Sequence, residues 1–401
     1  MLLRVIGLLY TLAWHRTTWL TNGVLFFCAL GVVASAGTSA WVNRRYRARP
    51  FVLQDLSLST AFVAFCLFDW ALLVALPPLK LSFSPNIAWP LLAAIAVRMA
   101  VFWAQTGALV LAQLLKRRQY PRLVALTFLA VNLTFCAVQV DAYVIEPLWV
   151  EATPLTALSN KLDPAAPPVR IVHLTDTHIA KNSYRETSVI AKVNALQPDI
   201  IVFTGDYLNT TYMRQETSAA DFRHLVSQLD APYGKYAVRG SIEGWSDGSY
   251  MRWLFEGTDV TWLEQESLTL DVRGQQVTLV GVACSHDQDT DRVRLERALA
   301  GVPDDAFTLL LYHSPDLIEA AAARSIDLYL AGHTHGGQLR LPFYGAMLTF
   351  SDYGKQYEAG DYLLENTRLY VSRGLGFEGG GMPQARFLCR PEIVSIELNG
   401  K

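Results

Sequence analysis

The chain predicts a helical membrane domain followed by a soluble α/β domain. Three observations carry that fold class: charge-poor apolar stretches of membrane-crossing length in the first 150 residues, a change of periodicity after Pro168, and opposite charge balances in the two halves. Residues 1–150 hold 12 Lys and Arg against 4 Asp and Glu, and residues 151–401 hold 22 against 32, so the overall −2 conceals a +8 piece joined to a −10 piece. At 401 residues there is room for two to three units of ordinary domain size.

A hydrocarbon core of about 30 Å takes roughly 20 helical residues to cross. Residues 20–42, 57–79, 87–115 and 123–145 meet that length, which makes about four membrane helices; the run 2–14 is too short. Ala34-Ser35-Ala36 resembles a signal-peptide cleavage site, but three further apolar segments follow it, and a retained span is the better reading. Arg44, Arg45, Arg47 and Arg49 lie between the first two spans and Lys116, Arg117, Arg118 and Arg122 between the last two, whereas the opposite loop has only Lys80. Clustered Lys and Arg mark the cytoplasmic side, so everything past residue 145 is expected outside, with a bacterial inner membrane as the expected location. The same clusters are short and bracketed by lipid-length spans, so no nucleic-acid partner is expected; nothing identifies a protein partner. Asp69 and Arg98 sit near mid-span, where a charge needs a partner. A structural ion pair between two antiparallel helices is favoured over a transport site, and Asp141, near an outer end, needs no such account.

Residues 149–168, including "EATPLTALSNKLDPAAPP", are rich in proline and poor in core formers, and are expected to be a linker between a 1–148 membrane domain and a 169–401 soluble domain. Beyond Pro168 short apolar runs alternate with helix-like stretches. "VRIVHL", "DIIVFTG", "KYAVRG", "VTLVGVA", "FTLLLYH" and "DLYLAGH" are the strands; 186–195, 219–229, 291–299 and 315–322 are the helices. That alternation predicts buried strands covered by helices.

In open α/β sheets ligands gather at the carboxyl ends of strands. Five runs lead there into polar clusters: Asp176-Thr177-His178, Gly205-Asp206, Gly240-Ser241-Ile242-Glu243, His313, and Gly332-His333-Thr334-His335. Asp and His without cysteine form a hard-to-borderline ligand set suited to manganese, iron or zinc. Six such groups exceed the needs of one catalytic ion, which keeps an open position. Two divalent ions about 3.5–4 Å apart fit better, because such a pair can hold a hydroxide and clamp both oxygens of an in-line phosphoryl displacement. Cys284 and Cys389 are open to a disulfide or to two buried thiols.

"DTH", "GD", "GSIE", "YH" and "GHTH", in that order, resemble the motif series of the calcineurin-like metallophosphoesterases, and "GHTHGGQLRLP" with "YVSRGLG" is similar to their membrane-associated bacterial branch. The resemblance covers Val169 to about Leu398. It implies an αββα sandwich, with Asp176, His178 and His335 on one metal, Asp206 bridging, and His313 and His333 on the other. It also implies a hydrolase in which a metal-held hydroxide attacks phosphorus, with Asp206 and Glu243 in the catalytic set. His173, His224 and His286 match no family position and are expected to be ordinary surface or core residues.

The third motif departs from the pattern. Ser241 and Ile242 stand where the family carries Asn and His, which removes an amide ligand of the second metal and the group assigned to the leaving group; Glu243 is kept. Three readings follow: an enzyme with a weakened second site that favours good leaving groups such as phosphoanhydrides, a slow one-metal phosphatase, or a catalytically impaired metal-binding module for a lipid or membrane partner. Arg239 and Arg373 are candidate phosphate contacts. The membrane half suggests a substrate at the bilayer surface, such as a lipid-linked phosphate or pyrophosphate.

Overall fold

The computed structural model describes residues 49–81, 88–115, 120–245, 248–285, 287–377 and 384–401, with positions 33, 37 and 44 besides. The expected span 20–42, the run 2–14, most of the two basic clusters and His286 lie outside the described residues. The chain divides into two compact units, 1–141 and 142–401.

In the first unit the described helices are α1 (Arg49–Ala75), α2 (Ala88–Leu114) and α3 (Tyr120–Val140). Among the described residues, three stretches are long and apolar enough to cross a membrane: Ser57–Ala75, Pro90–Ala112 and Arg122–Leu148. Phe62, Phe102 and Phe128 interlock the three helices, with the Phe62 and Phe102 rings 4.8 Å apart. Arg98, fully buried, pairs through Nε and a terminal nitrogen with Asp69 at 2.5 and 2.6 Å. It also donates to Asn132 (2.8 Å) and Gln139 (3.1 Å) on α3, and lies against the Phe65 and Phe135 rings. The two mid-span charges thus satisfy each other, as intramembrane charge requires.

The second unit stacks two six-stranded sheets. One orders β1-β14-β2-β3-β4-β5 and the other β12-β13-β9-β8-β7-β6. The strands are β1 (Glu151–Ser159), β2 (Val169–Leu174), β3 (Ile200–Phe203), β4 (Lys235–Val238), β5 (Val260–Leu263), β6 (Gln265–Val272), β7 (Gln275–Val282), β8 (Phe307–Leu311), β9 (Leu328–Ala331), the short pair β10 (Arg340–Leu341) and β11 (Gly345–Ala346), β12 (Gly360–Leu364), β13 (Thr367–Val371) and β14 (Glu392–Gly400). Ile171, Val202, Val238, Leu279, Leu309, Leu330 and Ile396 fill the layer between the sheets. The outer faces are covered by α4 (Tyr184–Leu196), α5 (Glu216–Ser227) and α6 (Gly248–Leu254) on one side, and by α7 (Gln288–Ala298) and α8 (Ile318–Ala323) on the other. Both faces of the strands are therefore buried, which is why they appear as continuous apolar runs rather than alternating ones. The α4 start is fixed by a capping box, Ser183 with Glu186.

The 149–168 linker expectation is corrected. Residues 151–159 are strand β1, parallel to β14 in register from Glu151↔Glu392 to Ser159↔Gly400. Its period-two burial, with Leu155, Ala157 and Ser159 inward, is short enough to be masked by Pro154, and an edge strand tolerates proline because one side of its backbone needs no partner. Strands β2 to β5 run parallel, as do β7, β8, β9 and β13, so their carboxyl ends form one rim.

Candidate metal centre

Four strand ends bring six Asp and His side chains together on that rim. Asp176 and His178 follow β2, Asp206 follows β3, His313 follows β8, and His333 and His335 follow β9. Five of the six residues have positive φ: Asp176 (49°), His178 (41°), Asp206 (55°), His333 (71°) and His335 (50°). Non-glycine residues seldom adopt that region, and clusters of such strain mark sites where geometry is imposed by function. Gly332 makes room for the turn, since a Cβ there would collide with Asp176 Oδ2 and Thr175 Oγ1.

The side chains form two groups, Asp176–His178–His335 and Asp206–His313–His333, whose ligand atoms lie within 4.8 Å of one another in each. In the first, His178 Nε2 and His335 Nε2 are 3.0 Å apart and His335 Nε2 is 3.4 Å from Asp176 Oδ1. In the second, His313 Nε2 is 3.2 Å from Asp206 Oδ2 and 3.1 Å from His333 Nδ1. Neighbouring ligands about 2.0–2.2 Å from one ion stand roughly 2.8–3.6 Å from each other in octahedral or tetrahedral geometry, so these spacings suit a divalent ion, with the His178 Nε2–Asp176 Oδ1 pair wider at 3.9 Å. Asp206 Oδ2 is also 3.8 Å from His178 Nε2, which puts this carboxylate between the groups.

Neighbouring groups aim these ligands. His313 Nδ1 lies 2.8 Å from the Thr204 carbonyl, a contact that favours a proton on Nδ1 and frees Nε2 for a metal. Asp176 accepts from Thr175 Oγ1 (2.9 Å) and from the His333 N–H. Burial raises the Asp176 carboxyl; at Asp206 burial acts the same way, but His313, His178 and the Ile242 N–H together outweigh it and hold the carboxyl well below the usual range. His335 is pushed down by burial and by His178, and so is kept neutral, the state in which imidazole ligates.

A protein-family model described as calcineurin-like phosphoesterase matches residues 169–337. The uncharacterized metallophosphoesterase YkuE of Bacillus subtilis is 32% identical over 260 residues, 63% of this chain and 87% of that one. The chain belongs to the calcineurin-like phosphoesterase family. It is a metallophosphoesterase, a hydrolase of a family that depends on two metal ions. The phosphodiesterase YaeI of Escherichia coli is 27% identical over 238 residues, 58% of this chain and 83% of that one. A Bos taurus transmembrane protein with metallophosphoesterase domain is 30% identical over 259 residues, 60% of this chain and 55% of that one.

The departing third motif of this phosphoesterase is turned toward Asp206. Ser241 Oγ donates to Asp206 Oδ2 (2.9 Å), and the Ile242 N–H donates to Oδ1 (2.9 Å). Glu243, also expected in the catalytic set, lies beside Asp206. Fully buried, its carboxylate accepts from the N–H groups of Asp206 (2.9 Å), Tyr207 (2.9 Å) and Gly240 (3.0 Å), so it ties the second and third motifs together and positions Asp206. Burial and the Asp206 charge raise it to about 7. Arg373 is engaged by Glu151 (2.9 Å) and Glu392 (3.0 Å) rather than presented to phosphate. Arg239 lies beside Glu264 in a separate cleft of about 370 Å³ that Arg294 and Arg297 also line.

His173 is a core residue on β2 hydrogen-bonded to Thr204 (2.8 Å), and His224 is exposed on α5. Cys284 and Cys389 are buried free thiols. Sequence reasoning missed Thr175, Thr204 and Cys389, whose Sγ donates to the His335 carbonyl (3.0 Å). Thr175 and Thr204 carry a local signal, each standing one or two residues before a ligand Asp at a strand end. Cys389 carries none, because it arrives from 54 residues away.

Proposed function

We propose that the protein hydrolyses phosphoester or phosphoanhydride bonds of a substrate held at a membrane surface, such as a lipid-linked phosphate or pyrophosphate, on the extracytoplasmic face of a bacterial inner membrane. The observation that carries the hydrolytic reading is the convergence of two ligand triads with metal-compatible spacing around Asp206. Manganese, iron or zinc suits the donors. Asp176, His178 and His335 would hold one ion, His313 and His333 the other, and Asp206 both; ions there supply Lewis-acid charge and an acidified water. The protein's own contribution is placement. Thr204 sets the His313 tautomer, the His333 N–H and Thr175 fix Asp176, and Ser241, the Ile242 N–H and Glu243 fix Asp206. With Ile242 in place of an imidazole, no general acid from the third motif faces the leaving group, which favours substrates whose leaving group is a weak base. The membrane-surface reading is supported by the three apolar helices, and the sidedness by the Lys and Arg clusters.

The test uses the full chain in detergent micelles, with metal per chain measured beside turnover of an aryl phosphodiester and of pyrophosphate. About two metals and turnover that falls by more than about 100-fold on Asp206→Asn are expected, since even outer-shell partners of a metal cost 10–100-fold. Full metal occupancy with no hydrolysis of either substrate would leave the metal-binding module as the better reading. A reporter enzyme fused after Lys401 should be active only outside the cytoplasm.

A further inference from the structure

Residues 142–148, which close the last candidate span, belong to the catalytic unit and pack beside its metal-bearing rim. Span Arg122–Leu148 finishes in a π turn (Asp141–Ile145) and a 3-10 turn (Glu146–Leu148), and residues from Ala142 onward belong to the catalytic unit. Buried Glu146 accepts the N–H groups of Leu388 (2.6 Å) and Cys389. Cys389 in turn donates to the carbonyl of His335, so two hydrogen bonds connect Glu146 to a candidate metal-ligand residue within the catalytic unit. Next to this segment, the Arg340 N–H donates to the Phe387 carbonyl, which brings in the β10–β11 hairpin. That hairpin and its flank, 341–350, also touch the site, since the Phe350 carbonyl is 3.3 Å from His333 Nε2.

These three neighbouring segments expose large apolar side chains: Ile145 near the end of the span and Trp149 just past it, Leu388, and Phe343, Tyr344 and Met347 on the hairpin. Arg390 stacks on Trp149 with its guanidinium 3.7 Å from the ring centre. Phe343 is fully exposed and sits at φ +65°, a conformation that costs a bulky residue about 1–3 kcal/mol and that folding gives it no packing to offset. Trp and Tyr with nearby cations are what headgroup-level surfaces carry, and apolar patches of this kind mark interaction sites.

We propose that these residues form a collar seated in the headgroup region of a lipid bilayer, which brings the metal-bearing rim to the plane where lipid phosphates lie. This deepens the membrane-surface reading of the substrate and rests on it. The occupant is lipid because the collar is continuous with a segment apolar enough to cross a membrane: Ile145 belongs to that span, and Glu151, where β1 starts, is three residues past its end. A substrate phosphate carried on a lipid then meets the rim without leaving the bilayer.

The test needs no turnover, so it fails independently of the hydrolase reading. The full chain is reconstituted in phosphatidylcholine–phosphatidylglycerol nanodiscs with a polarity-sensitive fluorophore on Phe343→Cys. Leu363→Cys is the reference: it is exposed on β12, near the β12–β13 turn at the end of the sheet opposite the rim. The wild-type chain labelled in parallel supplies the background. With nitroxide lipids labelled just below the headgroup, the dye at 343 should lose most of its emission while the dye at 363 keeps it. Quenching equal at both positions, or absent at 343, overturns the proposal. A second label, on Tyr344→Cys, should lose its quenching when Phe343→Asn and Met347→Ser are added; Asn tolerates the left-handed backbone, so the fold is kept, and unchanged quenching again overturns it.

Discussion

On the proposed reading, Ser241 and Ile242 decide more about this site than any of the six Asp and His residues do, because they change what faces the leaving group while leaving those six in place. Ser241 Oγ and the Ile242 N–H both spend themselves on Asp206, so what the third motif retains is support for a carboxylate, and what it gives up is a group facing the leaving oxygen. Replacing Ser241→Asn together with Ile242→His should therefore raise turnover of aryl phosphodiesters with poor leaving groups more than of those with good ones. The selectivity should shift by about 10²-fold or more, the lower range of a positioned general acid; equal changes across a leaving-group series would refute the argument. A second prediction concerns His173, whose imidazole burial depresses to about 3 from its ordinary 6.5. A base lowered on folding binds its proton in the unfolded chain first, so the stability it contributes is complete above pH 6.5 and is lost as pH falls from 6.5 toward 3, at up to about 1.4 kcal/mol per pH unit. His173→Asn should flatten that slope in thermal unfolding measured across the window. The six Asp and His residues that converge on the rim were legible in the sequence because each sits at the end of an apolar run. The contacts of Glu243 were not, because a carboxylate that faces a substrate and one that accepts three backbone N–H groups have the same one-letter code, and only the fold shows which N–H groups surround it.

Among the elements, the strands that were legible are those buried on both faces. β2, β3, β4, β7, β8 and β9 each give an uninterrupted apolar run, and β2 coincides with "VRIVHL" from Val169 to Leu174. β1, β12 and β14 escaped because they lie toward sheet edges, alternate in burial, and in β1 carry a proline. That difference has a consequence for where the catalytic unit can be cut. β1 covers one edge of β14 with nine paired residues and contributes Leu155 and Ala157 to the layer between the sheets. A fragment beginning at residue 167 exposes both that edge and those apolar positions, and open strand edges template aggregation. A fragment beginning at 142 keeps β1 and the Glu146 contacts with Leu388 and Cys389. Expressed side by side, the 142–401 fragment should be monomeric by size-exclusion chromatography and the 167–401 fragment should precipitate; equal solubility would show that β1 is dispensable. At the same scale, Gly332→Ala should lower metal content, since its methyl would push on Asp176 and Thr175 in the turn that presents His333.

For the whole molecule, the question is whether the helical unit and the catalytic unit can fail separately, and the Arg98 cluster provides the means to ask. Arg98 satisfies Asp69, Asn132 and Gln139 from the centre of three apolar helices, so every charge and amide in the cluster has its partner inside the unit. Removing one member of such a buried pair leaves the other uncompensated and costs about 3–5 kcal/mol, whereas replacing both with apolar residues of similar size is often neutral. Arg98→Leu should therefore lower the thermal stability of the helical unit in nanodiscs sharply, and Asp69→Leu with Arg98→Leu should recover most of it. Because the cluster lies within residues 1–141 and the six candidate metal ligands within 142–401, neither variant should change metal per chain or turnover of a water-soluble aryl phosphodiester. If the single variant loses stability and catalytic metal together, the two units share one folding transition, and the charge pair supports the catalytic site. If the double variant stays as unstable as the single one, the cluster is held for the specific geometry of its hydrogen bonds to α3 and not for charge compensation, and a functional part for Arg98 in the bilayer becomes the stronger account.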